Sequence, residues 1–122
     1  MKIVEALDHA IAAHAKWKYR LMEAIDTGKS EWRVSDVRTD ALCEFGKWLA
    51  ALPLSERLSE HSKTVRALHA EFHMLAADVL ELALAGRKAE ASAAMAFRSP
   101  FATASSNLTM AVMAWKEQAS GA

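Results

Sequence analysis

Only four glycines and two prolines punctuate the 122 residues of this chain, well below the usual shares of about 7% and 5%. A strand-rich domain of this length needs turn residues every 8–12 positions or so. With so little punctuation the chain is confined to a few long elements. Between the breakers lie alanine, leucine, methionine, glutamate and lysine in quantity, all strong helix formers. The fold class expected is therefore all-α.

Hydrophobic periodicity divides the chain further. Ile3, Leu7, Ile11, Leu21 and Ile25 share one helical face and Thr27-Gly28 supplies a stop, so a first helix is predicted over Ile3 to Asp26. A second is predicted from Val37, after a cap at Ser35 or Asp36, to Ala51, with Pro53 closing it. From Ser55 to Gly86 the stripe Val65, Leu68, Phe72, Leu75, Val79 and Leu82 is the most regular in the sequence. An alanine-rich piece from Lys88 to Phe97 precedes Pro100, which suits the first turn of a last helix carrying Phe101, Ser105, Leu108, Val112 and Trp115. Four principal helices on short connections predict an antiparallel four-helix bundle with a short accessory helix. With no internal repeat and no linker, residues 1–122 are expected to form one domain.

Fifteen Lys+Arg balance fifteen Asp+Glu. A nucleic-acid module would carry a basic excess, so no nucleic-acid partner is expected. No stretch approaches the roughly 18 apolar residues of a membrane span, and the N-terminus reaches Glu5 and Asp8 too early for a signal peptide. No membrane partner and a cytoplasmic location are the expectation. The single cysteine, Cys43, excludes an internal disulfide and agrees with a reducing compartment.

Three histidines stand out against this pattern. His69 and His73 are spaced i, i+4, which places two imidazoles one turn apart on one helical side, beside the core residues Leu68 and Phe72. His14 lies seven residues from both Leu7 and Leu21, where an apolar residue would be expected on the buried face. Taken singly, each has an ordinary reading as a satisfied core histidine, and Cys43 as a small buried hydrophobe. Together, three imidazoles and one thiolate from three helices complete a tetrahedral set whose softness selects zinc over calcium or magnesium. His9 and His61 fall outside that set and are read as solvent-facing.

The strings His14-Ala15-Lys16-Trp17, Cys43-Glu44-Phe45-Gly46-Lys47-Trp48 and His69-Ala70-Glu71-Phe72-His73 resemble the three signature blocks of the chemoreceptor zinc-binding (CZB) domain family. Those blocks read H-x-x-W, C-x-L/F-G-x-W and H-x-x-F-H, and the resemblance spans about Leu7 to Leu82. It implies an α-helical bundle with Zn²⁺ held by His14, Cys43, His69 and His73, and a homodimer as the usual assembly. It further implies a cytoplasmic sensor module joined, fused or in trans, to a chemoreceptor or diguanylate cyclase signalling domain. The implied signals are zinc itself and oxidants such as hypochlorous acid acting on the zinc-bound cysteine. The 122 residues hold no such output domain, so a stand-alone member and a piece of a larger sensor are both open.

Beside the resemblance, Gly46 is expected to let the second helix approach a neighbour closely. Trp17 and Trp48 are expected to pack around the site. Asp36, Asp40, Glu71 and Asp78 are candidates to accept the remaining ring N–H of a ligating histidine. Four protein ligands leave no open metal position, so hydrolysis is not expected and the chain is read as no enzyme. The alternative to a sensor is a structural interaction bundle with a permanent zinc and a dimer face. Gly28-Lys29-Ser30 does not make a phosphate loop, because Glu23 stands where its first glycine should be. A di-iron bundle is excluded by the lack of a glutamate three residues before His14, His69 or His73.

Overall fold

The structure, a computed structural model, describes residues 2–121. Seven helices follow in order: α1 (Ile3–Thr27), α2 (Val34–Arg38), α3 (Glu44–Ala51), α4 (Leu54–Arg57), α5 (Glu60–Leu84), α6 (Lys88–Ala94) and α7 (Pro100–Gly121). No strand occurs among the described residues. The helix ends have local causes. Gly28 adopts φ 72°, a left-handed conformation open to a residue without Cβ, and its N–H returns to the Ala24 carbonyl to close α1. The Ser59 hydroxyl accepts the Ser62 N–H and opens α5. Pro100 takes the first position of α7, as predicted.

Lys2, Ser59 and Gln118 line one cleft, which places the start of α1, the start of α5 and the end of α7 at the same end of the molecule. A 2.6 Å ion pair between Asp8 and Lys116 also ties the start of α1 to the end of α7. Helices α1 and α5 therefore run in one direction and α7 in the other, while α2, α3 and α4 return the chain from the end of α1 to the start of α5. This is the antiparallel bundle expected, with α6 as its accessory helix.

The second leg departs from the prediction. Instead of one helix over Val37 to Ala51, it is broken at 39–43 into turn and bend, and Cys43 is the residue that precedes the first turn of α3. The cap of α2 is Arg33, not Ser35 or Asp36. Gly46 makes room for the break. A Cβ on Gly46 would run into the backbone carbonyl of Asp40, so the 39–43 segment folds back over the start of α3 in the space that glycine leaves. The predicted close approach at Gly46 is real: this segment folds against it, and the His69 ring of α5 lies 3.4 Å from where a Cβ would stand. The third leg is likewise divided, with α4 separate and α5 starting at Glu60.

Leu7, Leu21, Val65, Phe72, Leu80 and Trp115 fill the centre of the core. On α5 the buried face is centred between the predicted stripe and its neighbours. Val65, Phe72 and Val79 are buried, Leu68, Leu75 and Leu82 are only half-buried, and His69, His73, Ala76, Ala77 and Ala83 complete the inward side. The two histidines are carried deeper than the core border expected of them.

Candidate metal centre

α1, the 39–43 segment and α5 each deliver part of one cluster. His14 comes from the middle of α1, Cys43 from the mouth of α3, and His69 and His73 from successive turns of α5. One potential ligand atom from each lies within 4.8 Å of the other three. The Nε2 atoms of His14 and His69 are 3.0 Å apart, those of His69 and His73 are 3.1 Å apart, and the Cys43 sulfur is 3.7 Å from His14 Nε2. A tetrahedral zinc with bonds of about 2.0–2.3 Å spaces its ligand atoms at roughly 3.3–3.6 Å. The separations of 3.0, 3.1 and 3.7 Å bracket that spacing, and no pair of ligand atoms is more than 4.8 Å apart.

The protonation pattern agrees. His14 Nδ1–H donates to the Ala10 carbonyl at 2.7 Å and His73 Nδ1–H to the Val37 carbonyl at 2.9 Å. With the proton held on Nδ1, each ring turns a bare Nε2 lone pair toward the cluster. Lone pairs converging in a buried space call for a cation among them.

Burial sets the charge state. Loss of water pushes His14 from 6.5 down to about 4, against the pull of its Ala10 hydrogen bond, and the neighbouring charges of His73 and Arg20 lower it further. His69 falls to about 2, again chiefly through burial, with His14 and His73 adding repulsion. His73 is lowered by burial as well, partly offset by the Val37 hydrogen bond and the Asp40 charge. All three imidazoles are neutral near pH 7, the form that binds a metal.

Aromatic rings enclose them. Phe45 meets His69 edge-on at 5.1 Å and Phe72 meets His14 at 5.3 Å. Trp48 stacks on Phe45 and reaches Trp115. On one side a cleft of about 630 Å³ reaches the cluster, lined by His14, Cys43 and His73 together with Trp17, Leu42 and Trp48. Trp32, from the connection after α1, meets Trp17 at 5.1 Å, and the Arg20 guanidinium lies over both rings. Nothing in the sequence pattern singles out Trp32, because its contact depends on how that connection folds. Cys43 is half-buried beside this opening, whereas His69 is fully buried.

The other candidates separate cleanly. Asp40 places a carboxylate oxygen 3.5 Å from His69 Nδ1. Asp36 lines the cleft, Asp78 pairs with Arg38, and Glu71 is exposed. His9 is exposed as expected, while His61 is half-buried rather than solvent-facing. The Ala10 and Val37 carbonyls leave no mark in a sequence, since any residue supplies one.

No helix among the described residues is long and apolar enough to cross a membrane. Neither the curated proteins nor the solved structures compared with this chain contain a match. The family model described as the chemoreceptor zinc-binding domain matches residues 14–80, beginning at the first histidine of the cluster and continuing past the last. That match covers more than half of the chain, and on it the protein belongs to the chemoreceptor zinc-binding domain family.

Proposed function

We propose that this chain is a cytoplasmic zinc-binding sensory module in which His14, Cys43, His69 and His73 hold one Zn²⁺. Its state is read by a chemotaxis or cyclic-di-GMP signalling domain, fused or in trans, in a homodimeric assembly. The observation that carries the reading is the convergence of four potential ligand atoms within 4.8 Å, with the Cys43 sulfur alone on a non-helical segment beside an open cleft. Zinc bound there supplies a crosslink between the 39–43 segment and the two long helices.

The cleft gives an oxidant access to Cys43 that it does not give to His69. With hypochlorous acid the thiolate takes up the HO group and chloride leaves: RS⁻ and HOCl become RSOH and Cl⁻, the sulfur losing the two electrons that chlorine gains. A sulfenic acid is a poorer metal ligand than a thiolate, so oxidation loosens the hold of the segment on the helices. Four protein ligands leave no position for a reacting water, which speaks against hydrolysis at this centre.

The test is zinc release with simultaneous circular dichroism. Under a competing chelator or stoichiometric hypochlorous acid, zinc should leave while most helical signal remains. Unfolding in step with metal loss would instead mark a purely structural zinc.

A further inference from the structure

Two of the three imidazoles are held by backbone carbonyls, and the third is not. His14 and His73 each give their Nδ1–H to a carbonyl within a helix. His69, with its side chain 0% exposed, has no hydrogen-bond partner for Nδ1. If Nε2 faces the cluster, Nδ1 must carry the proton, and a buried N–H left unpaired is costly. The nearest acidic group to it is the Asp40 carboxylate, with Oδ2 at 3.5 Å, short of a hydrogen bond in this structure but within a small adjustment of one.

Gly46 is what brings Asp40 there. A Cβ at this position would collide with the Asp40 carbonyl and come within 3.4 Å of His69 Cε1. The glycine thus seats the Asp40 backbone and clears the flank of the His69 ring at once. Resting on the zinc reading above, we infer that Asp40 is the positioning residue of His69. It accepts the Nδ1–H once the ring is drawn onto the metal, and Gly46 provides the seat from which it does so.

The consequence is that 39–43 grips the centre at two points. Cys43 supplies a ligand, and Asp40, three residues earlier, orients another ligand on a different helix. Displacing the segment withdraws both together, while His14 keeps its hydrogen bond within α1.

The test compares the full chain with Asp40→Ala, Asp40→Asn and Asp78→Asn, using zinc titrated against a chromophoric chelator and long-range ¹H–¹⁵N spectra of the histidine rings. Asp40 is partly exposed, so neither substitution leaves a cavity. Asp40→Ala should weaken zinc binding about 10- to 100-fold. It should also expose the His69 Nδ1 proton to rapid exchange, with the His14 signal unmoved. Asp40→Asn, which keeps an acceptor oxygen, should retain the His69 proton signal and lose less affinity. Asp78→Asn, a carboxylate paired elsewhere, should change neither. Affinity of Asp40→Ala within twofold of the parent, or an unchanged His69 proton, overturns the inference while leaving the zinc site standing. A parent chain that takes up no zinc overturns both.

Discussion

His69 and His73 lie near the middle of a 25-residue helix whose inward face is held by Phe72, Ala76 and Leu80. Cys43 instead precedes an eight-residue helix and closes a stretch of turn and bend. The imidazoles are thus placed by elements that the apolar core would order in any case. Helices of five and eight residues, α2 and α3, are far too short to persist without tertiary support. The difference locates the adjustable part of the centre. Metal loss should be felt first over 39–43 and α3, while α1, α5 and α7 persist.

The largest test of this contrast lies on the helical side. Phe101, 5% exposed at the start of α7, packs on the Phe72 ring at 5.4 Å. Phe101→Ala should cost about 3–5 kcal/mol in urea unfolding. Because it strikes the core one ring removed from the four ligand residues, the loss should be similar with and without zinc.

Acid comes next. His14 is held at about 4 in the fold against 6.5 when free, and the other two are lowered in the same direction. Between those values the unfolded chain binds more protons than the folded one, so stability is complete above pH 6.5 and is lost as pH falls toward 4. For His14 alone the loss is on the order of 3 kcal/mol at the acid limit. Denaturant midpoints of the zinc-free chain between pH 8 and 4 check it, and a flat profile would mean that the imidazoles are not buried together.

Gly46→Ala probes the segment side. The added methyl must displace the Asp40 carbonyl, at a cost of about 1–3 kcal/mol. Here the two sides should part: zinc affinity falls along with stability, and hydrogen exchange quickens over 39–43 and α3 before it does in α5. The smallest effect is expected at Arg38, which reaches from α2 to Asp78 at 2.8 Å and Glu81 at 3.5 Å with all three side chains well exposed. Arg38→Ala should shift stability by less than about 1 kcal/mol, which would show that packing and metal, rather than this ion pair, hold α2 in place.

The same contrast governs what could be read from the sequence. The three long helices follow from apolar periodicity, and α7 from Pro100 as well. The second leg looked continuous because no proline or glycine interrupts Val37 to Phe45. Its break is accommodated by a contact between Asp40 and Gly46, which local propensity does not encode. For the same reason Asp40 could be named only as one of four acidic candidates. The cluster residues were legible only as a set: singly each has an ordinary reading, and it is three histidines and a cysteine on separate segments, within three blocks that resemble a known family's, that point to one site. The exact face of α5 was not, since Ala76, Ala77 and Ala83 contribute to packing what their small size hides from a count of large apolar residues.

X-ray absorption at the zinc edge, on protein loaded with one equivalent of zinc, tests the central claim most directly. The four-residue centre predicts a single sulfur at about 2.3 Å and three imidazole nitrogens at about 2.0–2.1 Å, with the sulfur contribution absent in Cys43→Ala. A shell of nitrogen and oxygen alone, or a spectrum unchanged in that variant, would contradict it.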